Sequence, residues 1–136
     1  MTYFNLEDSA RGPRRQGAEW VFRERSPWNA RQSPSVVVLY EIPIVDGNSA
    51  DDVYRAIRRE GDRVLRSAEA VRWKYRVFNC RTWLHEVLDR LWGRGYVTFP
   101  GNANTNSIMF SAVAAAEAYP GCRGRKDRYH IVRYRG

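Results

Sequence analysis

The stretch from Asn79 to Gly95, NCRTWLHEVLDRLWGRG, decides how this chain folds. Its apolar residues recur every three or four positions, which predicts an amphipathic helix from Cys80 to about Arg94. Asn79 is a residue type that favours a helix N-cap, and Gly93 and Gly95 favour a helix end. The apolar stripe consists of Leu84, Val87, Leu88 and Leu91. This stripe needs another surface to cover it.

The segment before this helix contains a strand and another helix. A run of β-branched residues within 35–44 predicts a buried strand. Ser49, followed three residues later by Asp52, resembles a capping box and predicts a helix that extends to about Ala70. Gly61 is expected to divide that helix into two.

Four shorter patterns complete the prediction. Aromatic and basic residues alternate over 71–78, which predicts a half-exposed strand, and 96–99 predicts a short one. Thr105 or Asn106 is expected to cap a further helix, and 128–135 alternates as a strand does.

These elements predict an α+β fold with two parts. Residues 1–34 are expected to form an irregular basic segment, with at most one short strand over 19–23, that packs on the rest through its aromatic rings. Residues 35–136 are expected to form a single domain. This domain combines a small, mostly antiparallel sheet with about three helices, and the helix that starts at Cys80 packs on the sheet.

The chain is strongly basic, with 23 Lys and Arg residues against 15 Asp and Glu residues and a net charge of +8. Lys74 and Lys126 are the only lysines. Such a charge attracts a polyanion or an acidic protein surface. Arginine suits phosphate and carboxylate in particular, although a preference for Arg codons explains the composition equally well.

Cysteine usage and hydropathy favour an intracellular location, cytoplasmic or nuclear. Two cysteines, Cys80 and Cys122, are too few for a disulfide scaffold and do not match a zinc spacing. No signal peptide and no membrane-spanning stretch are predicted. No cofactor or metal motif is recognised, and no pattern indicates an oligomeric state.

Cys80 is the candidate nucleophile. A thiol in the first turn of a helix lies at the positive end of the helix dipole, which favours the thiolate, and the neighbouring Arg81 acts in the same direction. The backbone N–H groups that follow Asn79 are candidates for stabilising an oxyanion.

The pattern Tyr75-x-x-x-Asn79-Cys80-x-x-Trp83 resembles the motif that opens the nucleophile helix in papain-like thiol domains. It is similar to that of NlpC-type peptidases, the lecithin retinol acyltransferase family and PPPDE-type isopeptidases, and to a stretch in uncharacterised fungal proteins. The resemblance implies acyl or amide hydrolysis or transfer, or an inactive relative. It also implies that His130 is the base, because this histidine alone follows Cys80 within a predicted strand.

Three alternatives remain open on sequence grounds. Cys80 shares its helix face with apolar residues and could belong to the core, whereas His85 is turned away from it and is not a candidate base. A patch of basic and aromatic residues could instead bind single-stranded nucleic acid, with Trp73 and Tyr75 as a stacking platform. This patch consists of Arg72, Trp73, Lys74, Tyr75 and Arg76. A domain that binds other proteins is the third alternative.

Overall fold

A computed structural model describes residues 3–8, 20–26, 38–118 and 130–133 of the chain. This part contains four strands and four helices. In chain order they are β1 (Tyr3–Asp8), β2 (Trp20–Arg25), β3 (Val38–Glu41), α1 (Ala50–Arg66), α2 (Ala68–Tyr75), α3 (Cys80–Gly93), α4 (Thr105–Ala118) and β4 (His130–Arg133). The predicted α+β class is confirmed, with four helices in place of about three.

The described strands form two small sheets. β1 and β2 are antiparallel, with Leu6 opposite Phe22, whereas β3 and β4 are parallel, with Leu39 opposite Ile131. Helix α3 packs against β1, and α1 packs against both β2 and α3. The helix that starts at Cys80 therefore packs against the antiparallel sheet, as predicted.

The hairpin of β1 and β2 lies where the sequence predicts an irregular segment. Alternation along these strands directs Leu6 and Phe22 toward the helices, and Leu6 is buried. The Phe22 ring lies 5.6 Å from the ring of Trp83 on α3. Residues 9–19 and 27–37 lie outside the described residues, and they include most of the predicted irregular basic segment.

Helix α3 has the predicted bounds because both of its ends are specified locally. The Asn79 side chain accepts hydrogen bonds from the N–H groups of Arg81 and Thr82, and Thr82 Oγ1 accepts one from the Asn79 N–H. Gly95, at φ 78°, follows the last turn in a conformation that favours glycine. Trp83, Val87 and Leu91 form its buried face.

Helix α1 confirms the predicted capping box and corrects the prediction at Gly61. Ser49 Oγ accepts from the Asp52 N–H, and the Asp52 carboxylate accepts from the Ser49 N–H. The helix runs through Gly61 without a break. This position faces the rings of Phe22 and Trp83 at close range, which leaves no room for a larger side chain. Glycine is needed there for space and not as a helix breaker.

The strand predicted over 71–78 is wrong, since Ala68–Tyr75 is helix α2. The residues Ala68, Glu69 and Ala70 favour a helix strongly, and the alternation that follows them is too short to override this preference. Arg76 ends the helix in the left-handed conformation, at φ 70°. Trp73 and Tyr75 therefore do not share the face of a strand.

The remaining elements differ from the prediction in detail. The short strand predicted over 96–99 is reduced to one bridge between Val97 and Ile44. Helix α4 is present, but neither Thr105 nor Asn106 caps it. It begins at Thr105, and the capping side chain is Asn104, whose Oδ1 accepts from the Ser107 N–H. Within the described residues, no helix has both the length and the apolar character needed to cross a membrane.

Candidate functional site

Cys80 is exposed, at the first position of α3, which excludes a place in the core. It lines a groove of about 410 Å³ between α3 and β1. The groove residues are Phe4, Asn5, Leu6, Cys80, Arg81, Trp83 and Leu84. We call this the Cys80 groove. Its walls are mostly apolar, and Arg81 brings the positive charge.

Two of the backbone N–H groups predicted to stabilise an oxyanion, those of Arg81 and Thr82, donate instead to the N-cap side chain. Asn79 Oδ1 lies 3.0 Å from the nitrogen of Arg81 and 3.0 Å from that of Thr82. These contacts stabilise the helix start, but they engage the same N–H groups that an oxyanion would use. The Cys80 N–H is not part of the cap and remains the donor nearest the sulfur.

Asn5 contributes a polar atom beside the same groove. Its Nδ2 donates to Glu7 Oε1 at 3.2 Å, while its Oδ1 is buried and has no hydrogen-bond partner among the described residues. Buried acceptors are nearly always satisfied in folded proteins. Because this oxygen is buried, it is not open to a ligand in the groove.

His85 is engaged away from Cys80, as the sequence predicts. Its Nδ1 lies 2.9 Å from the Tyr75 hydroxyl, and its Nε2 lies 2.7 Å from Asn106 Oδ1. Because Tyr75 donates its single proton to Glu86, the hydroxyl accepts from His85 and Nδ1 carries a proton. Both ring nitrogens therefore serve contacts between helices, linking α3 to α2 and α4.

His130, the predicted base, lies in β4, and its side chain is outside the part of the chain that the structure describes. β4 pairs with β3 in the parallel sheet. The strand that packs against the Cys80 helix is β1, which carries no histidine. The pairing of Cys80 with His130 stays a prediction.

Trp73 is the most exposed large apolar residue of the described chain, with 83% of its surface accessible. It lines a shallow pocket of about 340 Å³ together with Glu69, Arg72 and Arg76. Among the described residues, neither arginine forms an ion pair. We call Arg72, Trp73 and Arg76 the Trp73 surface. It presents an exposed indole ring beside two arginines that form no ion pair within the described residues, and one carboxylate, Glu69, lines the same pocket.

The other two residues of the predicted patch, Lys74 and Tyr75, face α3. Lys74 Nζ donates to Glu86 Oε2 at 2.9 Å, and Tyr75 Oη donates to the same oxygen at 2.8 Å. Burial, followed by the hydrogen bond to Glu86, raises the pKa of Tyr75 to about 12. Burial favours a higher pKa for Glu86, but the hydrogen bonds from Lys74 and Tyr75 outweigh it and lower the pKa of this carboxyl. These side chains hold α2 on α3.

Four arginines surround one buried carboxylate, and sequence reasoning misses this arrangement. Glu60 on α1 is 0% exposed, and its oxygens lie 3.3–3.4 Å from the nearest nitrogen of each guanidinium. The four residues, which we call the arginine cluster, are Arg59, Arg63, Arg90 and Arg94. One signal is visible in the sequence. Glu60 lies four residues from Ala56 and from Val64, on the apolar face of α1.

The described residues contain no group of three or more His, Cys, Asp and Glu side chains that could hold a metal ion. Comparison with known proteins finds no matching family model, no similar curated protein and no similar solved structure. The function is therefore argued from these surfaces alone.

Proposed function

We propose that this protein binds single-stranded nucleic acid through the Trp73 surface. The observation that carries the proposal is an indole ring, 83% exposed, in one pocket with two arginines that have no ion-pair partners in the described chain. Burying a Trp side chain is favourable, so leaving one exposed forfeits a large gain. A ligand with a planar, apolar face would recover that gain.

Nucleic acid matches both parts of this surface. A base stacks on an aromatic ring irrespective of its identity, and arginine pairs with the phosphate oxygens. Glu69 lines the same pocket, but two arginines exceed its charge. The net charge of +8 on the whole chain attracts a polyanion from a distance.

The test is the affinity of the full chain for a fluorescent oligothymidylate of about 12 nucleotides, a length within the range that such sites cover. Removing the indole in Trp73→Ala is expected to weaken binding about 5- to 150-fold, because one stacked base contributes about 1–3 kcal/mol. Trp73→Phe, which keeps an aromatic face, is expected to retain most of the affinity.

Phe110→Ala is the matched control. Phe110 on α4 is 76% exposed and is also a large aromatic residue, but it does not line the pocket of the Trp73 surface. Its loss is expected to change the affinity less than twofold. Equal effects at Trp73 and Phe110, or binding by Trp73→Ala that matches the unmodified protein, would exclude the Trp73 surface as the binding site.

A second candidate function, thiol acyl chemistry at Cys80, is favoured by the exposed sulfur in an apolar groove at a helix start. In this reaction the Cys80 sulfur gives its proton to His130 and adds to the carbonyl carbon of an ester or amide. The bond to the alcohol or amine breaks, and the leaving group takes the proton from His130. Water then hydrolyses the thioester and restores the thiol.

This candidate is tested by alkylation with iodoacetamide in a Cys122→Ser background, which leaves Cys80 as the only thiol. The folded protein is expected to react at neutral pH at least tenfold faster than the same chain in urea, because only the folded chain can bring a base to the sulfur. His130→Ala is expected to slow the reaction and to change its pH profile. A rate that is the same folded and unfolded would exclude an activated thiol, and a rate unaffected by His130→Ala would exclude His130 as the base.

A further inference from the structure

The arginine cluster holds more positive charge than its buried carboxylate neutralises. Four guanidiniums meet at Glu60, and Arg90 also contacts Glu86, which in turn pairs with Lys74. Including the weaker contact between Lys74 and Asp89, five cations face three carboxylates and leave an excess of two positive charges. Arg55, Arg58 and Arg66 differ, since each has a carboxylate partner of its own.

The hydrogen-bond donors of the cluster are also in excess. A carboxylate offers about four lone-pair sites, whereas each guanidinium carries five N–H donors. The contacts at 3.3–3.4 Å are longer than the roughly 2.7–2.9 Å of a strong charge-assisted bond. Arg63 and Arg94 have about half of their side-chain surface exposed. Glu60 thus gathers the guanidiniums and leaves many of their donors open to solvent.

The cluster is preorganised by two helices. Arg59 and Arg63 extend from α1, Arg90 extends from α3, and Arg94 directly follows α3. The packing of α1 on α3 therefore brings the four side chains together. Arg59 is held further by a hydrogen bond of 3.1 Å to the Tyr96 hydroxyl. Ordering long side chains before a ligand arrives removes part of the entropic cost of binding.

The ion pairs connect the cluster to the helix that carries the Trp73 surface. Lys74, next to Trp73, pairs with Glu86, Glu86 pairs with Arg90, and Arg90 reaches Glu60. Glu86 and Arg94, the residue that follows α3, are eight residues apart, or about 12 Å along the helix axis. A chain of ion pairs therefore links the end of α2 to the arginine cluster.

We propose that the arginine cluster is a phosphate-binding site, and that it takes the backbone phosphates of the strand whose base stacks on Trp73. This inference rests on the proposed function for the identity of its ligand. The same chemistry would also accept a free polyphosphate. Guanidinium forks pair with two phosphate oxygens at once, and here four forks lie within 3.4 Å of one carboxylate.

The test compares two double variants of the full chain that lose the same charge. Arg63→Gln with Arg94→Gln removes two members of the cluster and leaves Arg59 and Arg90 on Glu60. Arg25→Gln with Arg66→Gln removes two arginines that pair elsewhere, with Glu7 and Asp62. Circular dichroism and thermal unfolding establish that both variants fold.

The cluster variant is expected to bind the oligothymidylate at least tenfold more weakly at about 50 mM salt. The slope of log K against log salt is negative, and it is expected to become less steep by about two, one for each lost phosphate contact. The Arg25 and Arg66 variant is expected to change affinity less than threefold. Equal losses in both variants would overturn the inference, and nucleic-acid binding would stand if Trp73→Ala still weakened it.

Inorganic tripolyphosphate is the second probe and distinguishes the two proposals. It is expected to raise the melting temperature of the unmodified protein and not that of the cluster variant. Stabilisation by tripolyphosphate without binding of the oligothymidylate would support the phosphate site and exclude the nucleic-acid function. Equal stabilisation of both double variants would overturn the phosphate site.

Discussion

Tyr75 has two polar neighbours and one cation, and together they explain its titration. Its hydroxyl donates to Glu86 and accepts from His85, and Lys74 Nζ lies 5.2 Å from the centre of its ring. Burial and the nearby carboxylate both disfavour a tyrosinate, which is why the pKa rises to about 12. The hydroxyl thus acts as a permanent donor between α2 and α3 at neutral pH.

The pH dependence of stability follows from the direction of this shift. A group whose pKa is higher in the folded state contributes stability below its unfolded value, and that contribution is lost as the pH rises through the folded value. We therefore expect the free energy of unfolding to fall between pH 10 and about 12. Tyr75→Phe is expected to make this fall less steep, as measured by urea unfolding at each pH. Parallel curves for the two proteins would contradict the assignment.

At the scale of elements, Gly61 sets how closely the hairpin and α3 approach α1. A Cβ built at this position would lie 3.0 Å from Phe22 Cε2 and 3.1 Å from Trp83 Cζ2. Neither ring can move freely, because Trp83 Nε1 donates to the Gly61 carbonyl at 3.0 Å and Phe22 packs on Trp83. Glycine has a low helix propensity, but at position 61 it allows the two rings to pack closely on α1.

Gly61→Ala is expected to destabilise the protein by about 1 kcal/mol. Alanine improves helix propensity by about 1 kcal/mol, but overpacking against two rings costs about 1–3 kcal/mol. Gly93→Ala, in the last turn of α3, has no atom within 4 Å of the new Cβ and is expected to be neutral or stabilising. Chemical denaturation measures both, and a stabilised Gly61→Ala would show that the rings yield.

At the scale of the whole molecule, Glu60 offsets repulsion within a chain of net charge +8. Glu60 pairs with arginines on α1 and α3 and with Arg94 after α3. It therefore holds α1 against α3 and reduces the repulsion among these arginines. Without Glu60, Arg90 would keep Glu86, whereas Arg59, Arg63 and Arg94 would lose the carboxylate that holds them together. Solvent would screen part of their mutual repulsion, because these three side chains are 39–52% exposed.

Glu60→Gln is therefore expected to reduce the free energy of unfolding by about 1–3 kcal/mol, as for the loss of hydrogen bonds to a charged group. Added salt is expected to recover part of this loss, because it screens the guanidiniums from one another. Glu117→Gln changes the same charge at an exposed position of α4 and is the control, with an expected effect below about 0.5 kcal/mol. Similar losses for the two variants would show that Glu60 does not organise the cluster.

Sequence alone determined the features that depend on neighbours within one segment. The N-cap at Asn79, the capping box of Ser49 and Asp52, and most of the apolar stripe of α3 involve residues within a few turns of one another. Leu84, predicted in that stripe, is instead 43% exposed, and Trp83 is buried. Local hydrogen bonds and the helical repeat decide such features, so the α+β class and three of the four helices were predictable.

Tertiary structure alone decided which side chains are exposed and which charged groups meet. The alternation over 71–78 is compatible with a strand or a helix, and only packing on α3 turned Tyr75 inward and left Trp73 outside. Arg90 lies 30 residues from Glu60, so no local pattern reveals their contact. Burial and long-range charge depend on which segments meet in space, and that information is spread over the whole chain.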